Sequence, residues 1–153
     1  VEKISGLDPV SEITVRVNYS EVDQMGVVYH ANYAVWLDMA RTEHLRRTGM
    51  SYRDMEALGF RLVVGELALR YLRPARYDDE LRIRCWVRDL ASRRVVFGYA
   101  VEHAGSGELL ATATTAMFVL DASFRPSKLA AEVLHRLPVA PDPVRLPSSP
   151  RPS

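Results

Sequence analysis

Thiol chemistry is nearly absent from this sequence. Cys85 is its only cysteine, which excludes an internal disulfide and any multi-cysteine metal site. Long hydrophobic runs are missing too: no stretch of about 18 apolar residues occurs, so no membrane-spanning helix is expected. There is no excess of one charge. Twenty Lys and Arg side chains face 19 Asp and Glu, giving a formal net charge of +1 with the two signs interspersed. That excludes a broad positive field for a nucleic-acid backbone or an anionic membrane, so any anionic ligand must meet a local basic cluster. The start, VEKISGLDPV, lacks the basic-then-apolar pattern of a secretory signal. With the lone cysteine, this points to a cytoplasmic address. The sequence has no G-x-S-x-G elbow, H-E-x-x-H helix, C-x-x-C pair or phosphate-binding glycine loop. Its histidines, His30, His44, His103 and His135, show no metal-ligand spacing, so neither metal nor cofactor is expected.

What is present suits one folded domain: 153 residues, 48% hydrophobic and 25% charged. Six of the nine prolines fall in 138–153, PVAPDPVRLPSSPRPS, which reads as a solvated tail behind a working domain at 10–137.

Residues 12–19 alternate Ile13, Val15, Val17 and Tyr19 with polar side chains, the period of a half-buried strand. From Tyr33 the period changes. Tyr33, Trp36, Leu37, Ala40 and His44 mark one face of a helix over 33–48, with Gly49 as its stop. Ser51 and Asp54 form an N-cap and acidic first turn for a short helix ending before Gly59. Strands are then predicted at 60–72, 79–90, 93–103 and 108–120, the last two joined by the turn at Gly105-Ser106-Gly107, with a short helix at 132–137. Within 79–90, Leu81, Ile83, Cys85 and Val87 read as the core face, opposite Arg82, Arg84, Trp86 and Arg88. Successive strands without intervening helices imply an antiparallel sheet whose apolar face the long helix must cover, an α+β arrangement.

Between the first strand and that helix lies Ser20-Glu21-Val22-Asp23-Gln24-Met25-Gly26-Val27-Val28-Tyr29-His30-Ala31-Asn32. An acid, a glycine and a histidine fall within eight residues, directly before a helix N-terminus. Free N–H groups and the positive end of the helix dipole suit developing negative charge, such as that on a thioester oxygen under attack.

The run D-Q-M-G-V-V-Y-H-A-N-Y and the helix W-L-D-M-A-R-T-E-H-L-R resemble the signature of the 4-hydroxybenzoyl-CoA thioesterase-like branch of the hotdog superfamily. Tyr71 to Leu81, Y-L-R-P-A-R-Y-D-D-E-L, is similar to a second family segment. The resemblance covers about residues 12–128. It implies a five-stranded antiparallel sheet wrapped around a central helix, subunits paired as a homodimer or homotetramer, and hydrolysis of an acyl-CoA to acid and CoA. It makes Asp23 the catalytic carboxylate, as general base or nucleophile, and the helix start at His30, Ala31 and Asn32 the oxyanion site. Tyr29 and Asn32 shape the turn and cap the helix, and Tyr33 lies on the apolar face. The His30 side chain, a second candidate for the chemistry, matches the short-chain acyl-CoA branch, where the enzyme that names the family has a tyrosine. Ser92, Arg93 and Arg94 match a stretch that contacts CoA phosphates, and Arg73 and Arg76 are further candidates.

Two alternatives stand beside this reading: a hotdog dehydratase or hydratase on acyl thioesters, whose usual frame of histidine and acid is absent from this sequence, and a non-catalytic acyl-CoA-binding module. His44 and Cys85 read as core. Glu43 is placed for an ion pair with Arg47, with a carboxylate role on the helix as its alternative.

Overall fold

The computed structural model describes residues 8–146. Strand β1 (Val10–Arg16) leads through a 3-10 turn at Tyr19–Glu21 and a loop into α1 (Asn32–Arg47). The short helix α2 (Tyr52–Ala57) follows, then β2 (Phe60–Tyr71), β3 (Glu80–Ala91), β4 (Arg94–His103), β5 (Leu109–Asp121) and α3 (Ala131–His135). The five strands form one antiparallel sheet in the order β1-β3-β4-β5-β2, as expected from the unbroken succession of strands. Among the described residues, no helix is long and apolar enough to cross a membrane.

The stripe on α1 buries Tyr33, Trp36, Leu37, Ala40 and Leu45 against the sheet. Its partners include Leu81, Ile83, Cys85 and Val87, the face of β3 that alternation assigned to the core. Each large side chain so buried contributes about 1.5–3 kcal/mol. Cys85 is fully buried, and burial pushes its thiol up. At the far end of α1, His44 is buried with its Nδ1 2.7 Å from Ser11 Oγ on β1. Ser51 caps α2 by accepting the Asp54 N–H.

Three expectations need correction. Glu43 pairs with Arg46, one position earlier than Arg47, at 2.6 Å. Trp86, placed by alternation on the polar side of β3, is fully buried. The reason is the third correction: residues 138–146, expected to be solvated, run across the outer face of the sheet. There Ala140 is buried beside Trp86 and Ala100, and its N–H donates to Val87 O at 3.0 Å. Asp142 accepts the Trp86 indole N–H and pairs with Arg88. A Trp on the outward face leaves an apolar patch that a short extended segment can cover, even one rich in proline. Residues 147–153 of the expected tail lie outside the described residues.

The register divides the sheet into two ends. At one lie Arg16, Glu80, His103, Leu109 and Tyr71; at the other lie Val10, Ala91, Arg94, Asp121 and Phe60. The loop between β1 and α1 sits at the first end, where Val28 N–H donates to Ala75 O and Val27 bridges to Arg76.

Candidate active site

Residues Val22 to Val28 form a tight hairpin closed by the Val22–Val28 bridge and by Asp23 N–H donating to Val27 O at 2.8 Å. Gly26 takes a left-handed φ of +78° in this turn, a conformation that favours glycine. Asp23 is half-buried in it. Its Oδ1 accepts the Met25 N–H at 2.8 Å, and its Oδ2 accepts no hydrogen bond from the described residues. One carboxylate oxygen is thus anchored and the other is unbonded among the described residues.

Glu21 ties the hairpin to the helix. Its Oε1 accepts the Asn18 N–H at 2.7 Å, and its Oε2 accepts the Trp36 indole N–H at 3.0 Å. Its carbonyl accepts the Tyr29 N–H and the Asn32 Nδ2–H. Asn32, expected to cap α1, is instead its first residue and spends its side chain on this link. Ala31 occupies the cap position without a side-chain bond, and the first turn carries no acid. The positive end of α1 is therefore uncompensated by side chains.

Two amides stand out at this helix start. Neither His30 N–H nor Ala31 N–H meets an acceptor among the described residues, whereas Tyr29, Asn32 and Tyr33 all donate to nearby carbonyls. A cleft of about 320 Å³ opens beside them, lined by His30, Tyr33, Tyr71, Leu72 and Arg73. Tyr33 is a buried wall, edge-on to both Trp36 and Tyr71. Tyr29 is half-exposed with its ring against His30. Asp23 does not line this cleft; it sits in the adjoining hairpin.

The predicted phosphate contacts divide. Arg73 and Arg76 lie at the same end of the sheet as Asp23, with Arg73 3.3 Å from Glu108. Ser92 and Arg93, in the turn between β3 and β4, and Arg94, the first residue of β4, lie at the other end, roughly 35 Å away along β3. Within one chain they do not meet Asp23. Ser92 O and Arg93 O accept from Leu129 and Val119, and the Arg93 and Arg94 side chains are exposed.

Sequence reasoning left Glu21 and Tyr71 without roles, although Tyr71 donates its hydroxyl hydrogen to His30 O at 2.9 Å. It also passed over Arg41. That guanidinium is buried under α1, where it donates to the Tyr52 and Tyr99 hydroxyls and pairs with Asp38. The i+4 step from Leu37 to Arg41 to Leu45 was the available signal for Arg41. The contact from Tyr71 to His30 spans 41 residues and has none.

A five-stranded antiparallel sheet packed on one long helix is the hotdog fold of the thioesterases. The chain belongs to the thioesterase-like superfamily, whose family model matches residues 17–145. Among its relatives is YneP of Bacillus subtilis (strain 168), which is provisionally named an acyl-CoA thioesterase. The two are 36% identical over 118 residues, 76% of this chain and 85% of YneP. The acyl-CoA thioester hydrolase YbgC of Escherichia coli O6:H1 is 37% identical over 90 residues, 59% of this chain and 67% of YbgC. The crystal structure of a DHNA-CoA thioesterase from Staphylococcus aureus superposes with a TM-score of 0.74 at 32% identity, covering 78% of this chain and 80% of that one.

Proposed function

We propose that this protein hydrolyses acyl-CoA thioesters to a free carboxylic acid and CoA. The observation that carries the reading is the pair of unpartnered amides, His30 N–H and Ala31 N–H, at a helix start with no capping side chain, beside the hairpin that holds Asp23. With the thioester oxygen on those amides, Asp23 takes a proton from water as the water oxygen adds to the carbonyl carbon. Alternatively, Asp23 itself adds, forming an anhydride that water then opens. Either way, negative charge builds on the carbonyl oxygen, where each aligned donor contributes a few kcal/mol. Collapse of the adduct breaks the C–S bond and releases CoA as thiolate, which takes up a proton.

The working unit in this proposal is a homodimer or a tetramer of such dimers. Strands β1 and β2 form the two edges of the sheet; on β1 the exposed Glu12 and Arg16 pair with Arg82 and Glu80 of β3, whereas on β2 Val64 and Leu67 are about half-exposed. An open apolar edge invites a second copy. Two-fold antiparallel pairing along β2 sets the Asp23 end of one sheet beside the Arg94 end of the other. The partner's Arg93 and Arg94 then reach the CoA phosphates.

Thiol release from a panel of acyl-CoAs tests the activity. Subunit mixing tests the shared site: Asp23→Asn protein and an Arg93→Ala/Arg94→Ala double variant, each impaired alone, should regain activity when mixed, because one site of the mixed dimer is intact. A strict monomer at micromolar concentration, or no regain on mixing, contradicts the shared site.

A further inference from the structure

We infer that Tyr71, at the end of β2, is a positioning residue that aims and strengthens the Ala31 N–H as an oxyanion donor. This rests on the thioester-hydrolase reading above. The Tyr71 hydroxyl donates to the His30 carbonyl at 2.9 Å. The peptide joining His30 to Ala31 is planar and trans, so holding its carbonyl in one direction fixes its N–H in the opposite one. The other contact to that carbonyl is weaker, the Tyr33 N–H at 3.4 Å in the opening turn of α1. Without Tyr71, the peptide would be held only by this long bond.

The neighbouring anchors leave this one peptide to Tyr71. Glu21 O accepts from Tyr29 N–H and from Asn32 Nδ2–H, fixing the chain before and after the His30–Ala31 unit but not the unit itself. A hydrogen bond accepted by a peptide carbonyl also draws electron density away from its nitrogen, which makes the N–H a better donor. The hydroxyl therefore serves the oxyanion twice, by direction and by polarisation, without touching the substrate. The Tyr71 ring is separately employed, edge-on to Tyr33 at 5.1 Å in the cleft wall. Its backbone pairs with Ala111 in the sheet. Both of these survive in Tyr71→Phe, so that variant removes the hydroxyl and little else.

The experiment compares wild type, Tyr71→Phe and Asp23→Asn by steady-state thiol release, with 1H–15N spectra of wild type and Tyr71→Phe. For Tyr71→Phe we expect kcat to fall about tenfold, part of what losing a whole oxyanion donor costs. KM should stay within about twofold and the pH profile should keep its shape. The Ala31 amide resonance should move upfield more than resonances elsewhere in the sheet. An unchanged kcat, or a raised KM with kcat intact, overturns the positioning role. If wild type releases no thiol, or Asp23→Asn matches it, the thioesterase reading fails separately. The Ala31 resonance still decides the geometry then, and no shift in Tyr71→Phe refutes it.

Discussion

The indole N–H of Trp86 donates to the carboxylate of Asp142 at 3.0 Å, bringing the C-terminal segment onto the outer face of β3. Ala140 fills the space beside it, and Val144 and Leu146 pack at the margin. Removing residues after Leu137 should expose Trp86 while leaving Trp36 buried under α1. We predict a red-shifted emission component and a loss of about 2–4 kcal/mol, from the apolar area uncovered and the hydrogen bond broken. Fluorescence and urea titration measure both, and an unchanged spectrum would mean that the segment does not cover Trp86.

The same indole dictates a glycine across the strand pair. A Cβ on Gly98 would fall 2.5 Å from the Trp86 ring, within the body of a rigid side chain. Gly98→Ala should therefore cost about 1–3 kcal/mol by overpacking. Combining it with Trp86→Leu should recover part of that loss in denaturant titrations.

His44 titrates far from its ordinary value. Burial first, and then the nearby Arg47 charge, lower its pKa from 6.5 to about 4, against a smaller opposing effect of the Cys85 carbonyl. The Ser11 hydroxyl lies 2.7 Å from His44 Nδ1 and 3.3 Å from Cys85 O, linking the buried ring to the sheet. Because the folded pKa is depressed, the unfolded chain binds the proton more readily. This contribution to stability is whole above about pH 6.5 and is lost as pH falls toward 4, up to about 3 kcal/mol. His44→Gln should flatten the stability profile between those two pH values, as thermal unfolding across the range would reveal.

Cys85 should resist thiol reagents in the folded protein. It is fully buried, and burial raises its pKa, so thiolate is scarce and access is blocked. Reaction with a chromogenic disulfide should follow unfolding and reach one equivalent only in denaturant.

The long helix, the short capped helix and the run of strands were legible because each rests on local chemistry: the spacing of Tyr33, Trp36, Leu37 and Ala40, the Ser51 cap, the alternation of Leu81, Ile83 and Cys85. Placing Asp23 before a helix start was equally local. Trp86 went to the wrong environment because alternation gives the face of a strand but not what covers it, and the cover lies 54 residues on, at Ala140. Asp23 and Arg93 fall at opposite ends of β3 because β1 pairs antiparallel with β3, a partnership that period-2 patterns do not encode. The cap at Ala31 was unforeseen for a related reason. Asn32 is a strong capping type, but here the Glu21 carbonyl claims its side chain.

The measurement closest to the central claim is the turnover of Asp23→Asn on the acyl-CoA that wild type cleaves best. Asparagine keeps the shape of the side chain and can still accept the Met25 N–H, so the hairpin should hold. We predict a fall in kcat of about a hundredfold or more, the scale of a lost general base, with KM little changed. Equal kcat in the two proteins would contradict the account.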